Sequence, residues 1–237
     1  MNDWTILPLG ECAVLVQLEP VIRKDVHQRI LHLNRQVARA PFPGLVETVP
    51  AYNSLAVFYD PQQVPATHTT RQEYVQHHLK QLLVQPPAPQ LQEPPRRLTL
   101  PVCYDPVFGT DLAQLEAELQ LPAAEIVRLH SSRTYHVFLL GFTPGFPYMG
   151  ILPPELHCRR KTTASQTVAA GSVAIAGTQT GIYPLSSPGG WNIIGRTPVS
   201  LVNPDQPSPF LLQPGDEVKF TPISREEFEA YENHVPA

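Results

Sequence analysis

The chain has 237 residues, suited to two domains at roughly 100–200 residues each, and its 42 % hydrophobic content is enough for two modest cores. Seventeen Lys+Arg against 21 Asp+Glu leave a formal charge of −4, without the basic face that nucleic-acid binding requires. No apolar run approaches the ~18 residues of a membrane span, no leader pattern is expected at Met1-Asn2-Asp3-Trp4, and the dispersed Cys12, Cys103 and Cys158 fit a reducing, cytoplasmic setting.

In chain order, Trp4–Leu7 and Cys12–Leu18 read as short strands around a Gly10-Glu11 turn. A helix follows over Ile22–Ala38, where Ile22, Val26, Ile30, Leu33 and Val37 recur at spacings of four and three. The Pro41-Phe42-Pro43-Gly44 turn ends it. Val46–Val49 and Ser54–Tyr59 are strand-like, and a second helix spans Thr70–Val84 with Val75, Leu79, Leu82 and Leu83 on one side. The order ββαββα predicts a small α+β sandwich with its helices on one sheet face.

Residues 85–95 hold Pro86-Pro87, Pro89 and Pro94-Pro95, which favour an extended, semi-rigid path. The segment reads as a domain boundary, or else as a loop hugging one domain. The 28 prolines and 13 glycines together make about 17 % of the chain, below the ~25–30 % that marks disorder, so the prolines punctuate a folded protein.

Leu98–Tyr104 opens a new strand, and two short helices follow, one lined by Leu112, Leu115 and Leu119, the other opened by Pro122. Tyr135–Leu140 is a continuous apolar run, read as a strand buried on both faces. A glycine- and proline-rich block from Leu139 to Pro198 supplies further short strands. Leu211–Phe220, turning at Pro214-Gly215-Asp216, reads as a hairpin, and Ser224 with Glu227 as a capping box for a terminal helix. Short strands without exposed edges want closure, which predicts a barrel-like β domain from about residue 98 onward.

No phosphate-binding P-loop, no Gly-x-Ser-x-Gly elbow and no metal-ligand spacing occurs; the adjacent His77 and His78 diverge on a helix. In the strand from Ser172 to Gly177, Val173 and Ile175 alternate with Ser172, Ala174 and Ala176. That small-residue face leaves room for a ligand, or for close packing of another backbone. Arg196, between Gly195 and Thr197-Pro198, suits bidentate capture of a carboxylate or phosphate, or an internal ion pair that braces a turn. Arg160, in the run Arg159-Arg160-Lys161, is a second anion candidate, or simply solvated surface. Gln179, Thr180 and Tyr183 offer donors and acceptors to an amide edge, or stabilise a turn. His130 is a proton-transfer candidate that would also suit the end of a helix electrostatically. Gly189-Gly190 could form an anion-binding nest, or just a turn. Trp191 reads as a packing anchor.

On Gly141-Phe142 with Pro144-Gly145-Phe146 and Tyr148, Ala170-Gly171-Ser172-Val173, Gln179-Thr180-Gly181-Ile182-Tyr183-Pro184, Ser187-Pro188-Gly189-Gly190-Trp191 and Gly195-Arg196-Thr197-Pro198, the chain resembles the KipI/PxpB family, also described as allophanate hydrolase subunit 1-like. Val49-Pro50-Ala51-Tyr52-Asn53-Ser54-Leu55 and Gln213-Pro214-Gly215-Asp216 extend the likeness over nearly the whole chain. The resemblance implies an α+β protein: a ferredoxin-like domain over residues 1–85, a Pro-rich linker over 86–97 and a cyclophilin-like β-barrel over 98–237. It further implies a subunit of an ATP-dependent 5-oxoprolinase that turns 5-oxo-L-proline into L-glutamate. Its partners would be a KipA/PxpC-like subunit and a LamB/YcsF-like PxpA component, with ATP bound in a partner or at the shared boundary.

In that setting ATP would phosphorylate the lactam oxygen before water opens the ring. Arg196, assisted by Arg160, would hold the substrate carboxylate, while Gln179, Thr180 and Tyr183 would orient the lactam. The rival implied by the same resemblance is a non-catalytic inhibitor of a sensor histidine kinase. One departure stands out: the family's usual Pro-Arg pair before the Ala-Gly-Ser segment is Ala164-Ser165 here, and a following proline is Ala169.

Overall fold

Strands of four to seven residues dominate the fold, a length set by the prolines and glycines that interrupt them. The computed structural model describes residues 3–67, 70–84 and 94–234. The chain divides into two units, Met1–Pro94 and Pro95–Ala237. Most of the proline-rich segment, residues 85–93, lies outside the described residues.

The first unit carries β1 (Thr5–Pro8), β2 (Ala13–Gln17), α1 (Lys24–Arg39), β3 (Leu45–Ala51), β4 (Ser54–Tyr59) and α2 (Arg71–Val84). Its antiparallel sheet has the order β1-β2-β4-β3. Burial alternates residue by residue along β4, so Leu55 and Val57 join Val14 and Val16 of β2 in the core. The helices meet that face through Val26, Ile30, Leu33 and Val37 of α1 and Val75, Leu79 and Leu82 of α2. A capping box missed in the sequence starts α2: Glu73 N–H donates to Thr70 Oγ1 at 3.1 Å, and Thr70 N–H to Glu73 Oε2 at 3.1 Å.

The second unit runs through β5 (Arg97–Cys103), α3 (Leu112–Leu119), α4 (Ala123–Ser132), β6 (Thr134–Leu140), β7 (Pro147–Gly150) and β8 (Ser165–Val168). It continues with β9 (Ser172–Ala176), β10 (Gln179–Ile182), β11 (Ser187–Gly189), β12 (Asn192–Arg196), β13 (Glu217–Ile223) and α5 (Arg225–His234). Seven strands close into a barrel in the order β10-β7-β6-β13-β5-β12-β9, and β8 with β11 forms a separate ribbon. Alternate residues such as Val137, Met149, Val173, Ile175 and Phe220 fill the barrel interior, with Leu115 of α3 and Ile126 of α4 in the same core.

The hairpin expected over Leu211–Phe220 does not form. Leu211 N–H bonds to Leu201 O, while β13 pairs in parallel with β5 and antiparallel with β6. The turn between them is held by its own acid, since Asp216 Oδ2 accepts Gln213 N–H at 2.7 Å, and by the Arg96 guanidinium at 2.6 and 3.0 Å. Gly215 there adopts φ +100°. The terminal capping box does form: Glu227 N–H donates to Ser224 Oγ at 3.1 Å and Ser224 N–H to Glu227 Oε2 at 2.7 Å.

Candidate functional site

The glycine-rich block builds a wall of aromatic rings on the outer face of the barrel. Between β6 and β7 the chain turns with Phe142 at φ +65° and Gly145 at φ +83°, and Phe146 N–H bonds back to Thr143 O. This drives Phe146 onto β10, where a Cβ on Gly181 would lie 2.7 Å from its ring. Phe146 packs edge-on against Tyr148, Tyr183 and Trp191 at centroid distances of 4.9, 5.1 and 5.5 Å. Val168, Ala174, Ala176 and Ile193 complete the cluster. The small-residue face of β9 is therefore filled by the protein's own rings, not left as a recess for a guest.

Arg160 lies at the edge of this wall. Its Nε sits 2.9 Å from where a Cβ on Gly190 would be, so the guanidinium rests on bare backbone that only glycine leaves open. Gly189 plays the same part for Tyr183, whose hydroxyl occupies the space a Cβ would need. Neither glycine adopts a positive φ, and Gly190 O is taken by Lys161 N–H at 2.8 Å, so the pair is not an anion-binding nest. Burial pushes the Tyr148 and Tyr183 phenols up, against the opposing charge of Arg160 and, at Tyr183, a hydrogen bond from Trp191 N–H. Both phenols stay protonated at neutral pH. Just beneath, Lys161 Nζ donates to Asp111 Oδ2 at 2.7 Å and to Ser165 Oγ at 3.1 Å, and Asp111 Oδ2 also accepts Ile193 N–H at 2.7 Å.

His130 and Thr180 meet inside the barrel, away from this wall. Thr180 Oγ1 donates to Ala174 O at 3.0 Å, so it must accept from His130 Nε2 at 2.9 Å. Nδ1 is then the bare nitrogen, and accepts from Tyr104 Oη at 2.8 Å. The proton order Tyr104 → His130 → Thr180 → Ala174 thus runs one way. Phe220 and Tyr135 stack on the imidazole at 4.7 and 5.3 Å. Burial pushes its pKa down to about 3, so it stays neutral. The helix-dipole role and the proton-transfer role both need a charged or accessible imidazole, and this one is neither.

Arg196 and Gln179 are not brought together. Gln179 stands opposite Ala176 and Arg196 opposite Ser172, on the two sides of β9. Four residues separate those positions, about 13 Å along a strand. Arg196 Nε donates to Ala170 O at 2.9 Å, and its Cζ lies 5.9 and 5.6 Å from the ring centroids of Phe108 and Phe228. It fastens α5 to the barrel.

Residues 4–212 match the family described as carboxyltransferase domain, subdomain C and D. The chain belongs to that family. Among its relatives, the B-type subunit of 5-oxoprolinase from Bacillus subtilis (strain 168) is 37 % identical over 232 residues, covering 96 % of each chain. The protein of the same name from Escherichia coli O157:H7 is 39 % identical over 216 residues, covering 90 % of this chain and 94 % of its own. These matches bear out the resemblance to the KipI/PxpB family. The solved structure of TTHA0988 is 37 % identical with a TM-score of 0.77, and covers 90 % of this chain but only 40 % of that longer one. The urea amidolyase structure from K. lactis, 20 % identical with a TM-score of 0.73, covers 96 % of this chain and 15 % of its own, and shows the fold alone.

Within this carboxyltransferase-family barrel, four of the residues singled out from sequence converge: Arg160, Tyr183, Gly189 and Gly190. Two residues were overlooked. Tyr148, quoted only as part of a motif, packs edge-on against Trp191 and feels the charge of Arg160. Asp111 reaches Lys161 across 50 residues, and no local spacing announces such a pair. Among the described residues no group of three or more His, Cys, Asp or Glu side chains could hold a metal ion, and no helix is long and apolar enough to cross a membrane. The residues around Arg160 do not fit ATP: Lys161 is neutralised by Asp111, and the glycine pair backs onto side chains where a phosphate cradle would need open N–H groups.

Proposed function

We propose that this chain is the B-type component of an ATP-dependent 5-oxoprolinase. It would act with a KipA/PxpC-like subunit and a LamB/YcsF-like component to convert 5-oxo-L-proline into L-glutamate. The observation that carries this reading is the near full-length match, at 37–39 % identity, to relatives named as that component of 5-oxoprolinase. We assign ATP to a partner subunit or to the boundary shared with one, because the residues around Arg160 lack a cradle for it. The free thiols Cys12, Cys103 and Cys158 suit a cytoplasmic protein.

For the substrate, the exposed Arg160 guanidinium is the group best disposed to take the carboxylate. It makes no hydrogen bond or ion pair among the described residues, and its charge acts on the half-buried Tyr148 phenol. Tyr183, Gly189 and Gly190 shape the wall behind it. Arg196, Thr180 and His130 are not assigned to the substrate, since each is engaged elsewhere, and Gln179 is not, since it is set across β9 from Arg196. The fold labels follow the same reading. Started from β2, the first unit has the strand order of a ferredoxin-like sandwich with β1 as its last strand, and the second unit is a cyclophilin-like barrel.

Co-expression with both partner types, with glutamate release assayed with and without ATP, tests the proposal. ATP-dependent release that needs this chain supports it. Equal release when the chain is omitted overturns it.

A further inference from the structure

Arginine side chains are flexible, and an arginine that binds a small anion loses that freedom on binding unless the fold has already removed it. Around Arg160 the chain is tied on both sides. On one side Asn192, buried in the barrel wall, donates from Nδ2 to Arg159 O at 2.9 Å. On the other, Lys161 N–H donates to Gly190 O at 2.8 Å, and its side chain runs inward to Asp111 and Ser165. The Lys161–Asp111 pair is itself largely enclosed, at 13 % and 14 % side-chain exposure. Asp111 in turn accepts from Ile193 N–H at 2.7 Å, and its own N–H bonds Ile193 O at 3.0 Å. The two ties and the Gly190 shelf therefore share one short stretch of chain, Gly190 to Ile193. The only side chain between the tied peptides is that of Arg160, laid flat on the shelf.

We infer that Asn192 and the Asp111–Lys161 pair are positioning residues that hold Arg160 on Gly190, presenting its guanidinium edge to a small carboxylate. The inference rests on the assignment of Arg160 to the substrate made above. A carboxylate meeting a guanidinium whose backbone is already held over Gly190 gains two parallel N–H···O bonds with less of the chain left to order. Loss of either tie therefore weakens ground-state capture of the acid and leaves the chemical step intact. Gly190 has the same consequence by a different route, because any side chain there displaces the guanidinium while keeping its charge.

The test uses the assembled, active complex and its steady-state kinetics with 5-oxoproline. Gly190→Ala, Asp111→Asn and Asn192→Ala should each raise KM about three- to tenfold with kcat within about twofold, the size expected for freeing one long side chain. In an Arg160→Ala background the same changes should add nothing further to KM, which a merely structural role would not produce. If Asp111→Asn does not fold, Gly190→Ala and Asn192→Ala carry the decision. An Arg160→Ala complex with unchanged KM overturns the site assignment and the inference together. A raised KM in Arg160→Ala with unchanged values in Gly190→Ala and Asn192→Ala overturns the positioning role alone, as does a full additional effect of these changes without Arg160.

Discussion

Replacing Thr180 with valine separates the buried relay from ordinary hydrophobic packing. Valine matches threonine in shape and suits a strand, so burial alone predicts a neutral or stabilising change at this wholly enclosed position. The hydrogen-bond order predicts the opposite. Without the hydroxyl, His130 Nε2–H has no acceptor and Ala174 O loses a donor. Moving the proton to Nδ1 does not help, since Nε2 then faces a methyl group and Tyr104 loses its acceptor. One orphaned buried donor costs about 1–3 kcal/mol. At about 2–4 °C per kcal/mol for a unit of this size, the barrel's Tm should fall by about 2–12 °C. Thr180→Ser keeps the hydroxyl and gives up one buried methyl, a loss of about 1 kcal/mol. Thermal unfolding followed at Trp191 in a Trp4→Phe background should therefore rank wild type above serine and serine above valine. A valine variant as stable as wild type would refute the relay.

The neutral His130 makes barrel stability depend on pH. Its folded pKa, about 3, lies below the ordinary 6.5, so between those values the unfolded chain binds a proton that the native state refuses, and stability falls as pH drops through that window. Urea unfolding at pH 7.5 and 5.5 should differ by about 1.4 kcal/mol in the barrel transition, and a flat profile would contradict the burial argument. Arg196→Ala should lower barrel stability by about 1–3 kcal/mol through the lost ring contacts and the bond to Ala170, while KM for 5-oxoproline in the complex stays unchanged. A folded Arg196→Ala complex with a tenfold higher KM would return that residue to the substrate. Ser224→Ala removes half of the capping box and should cost about 1 kcal/mol, seen as faster amide exchange in the first turn of α5. Unchanged exchange there would rule out the box as the helix start.

Much of the architecture was legible in the chain because its causes are local. Of the five positions at four-and-three spacing, Val26, Ile30, Leu33 and Val37 are buried on α1, while Ile22 precedes the helix and is exposed. Ser224 and Glu227 announce the start of α5 within a single turn. The density of glycine and proline forecast short strands and a closed sheet. The hairpin at Leu211–Phe220 was misread for the complementary reason: a turn signal says where the chain bends, not which strand it then meets.

The site belongs mostly to that second category. Gln179 and Arg196 lie 17 positions apart and look like neighbours in a motif, yet strand register sets them on opposite sides of β9. His130 and Thr180, 50 residues apart, share one proton chain. Asp111 and Lys161 are equally distant in sequence and are paired beneath Arg160. Period, capping and turn chemistry act over a few residues and can be read along the chain. Which side chains face one another across a barrel depends on strand order and register, and those are decided only when the sheet closes.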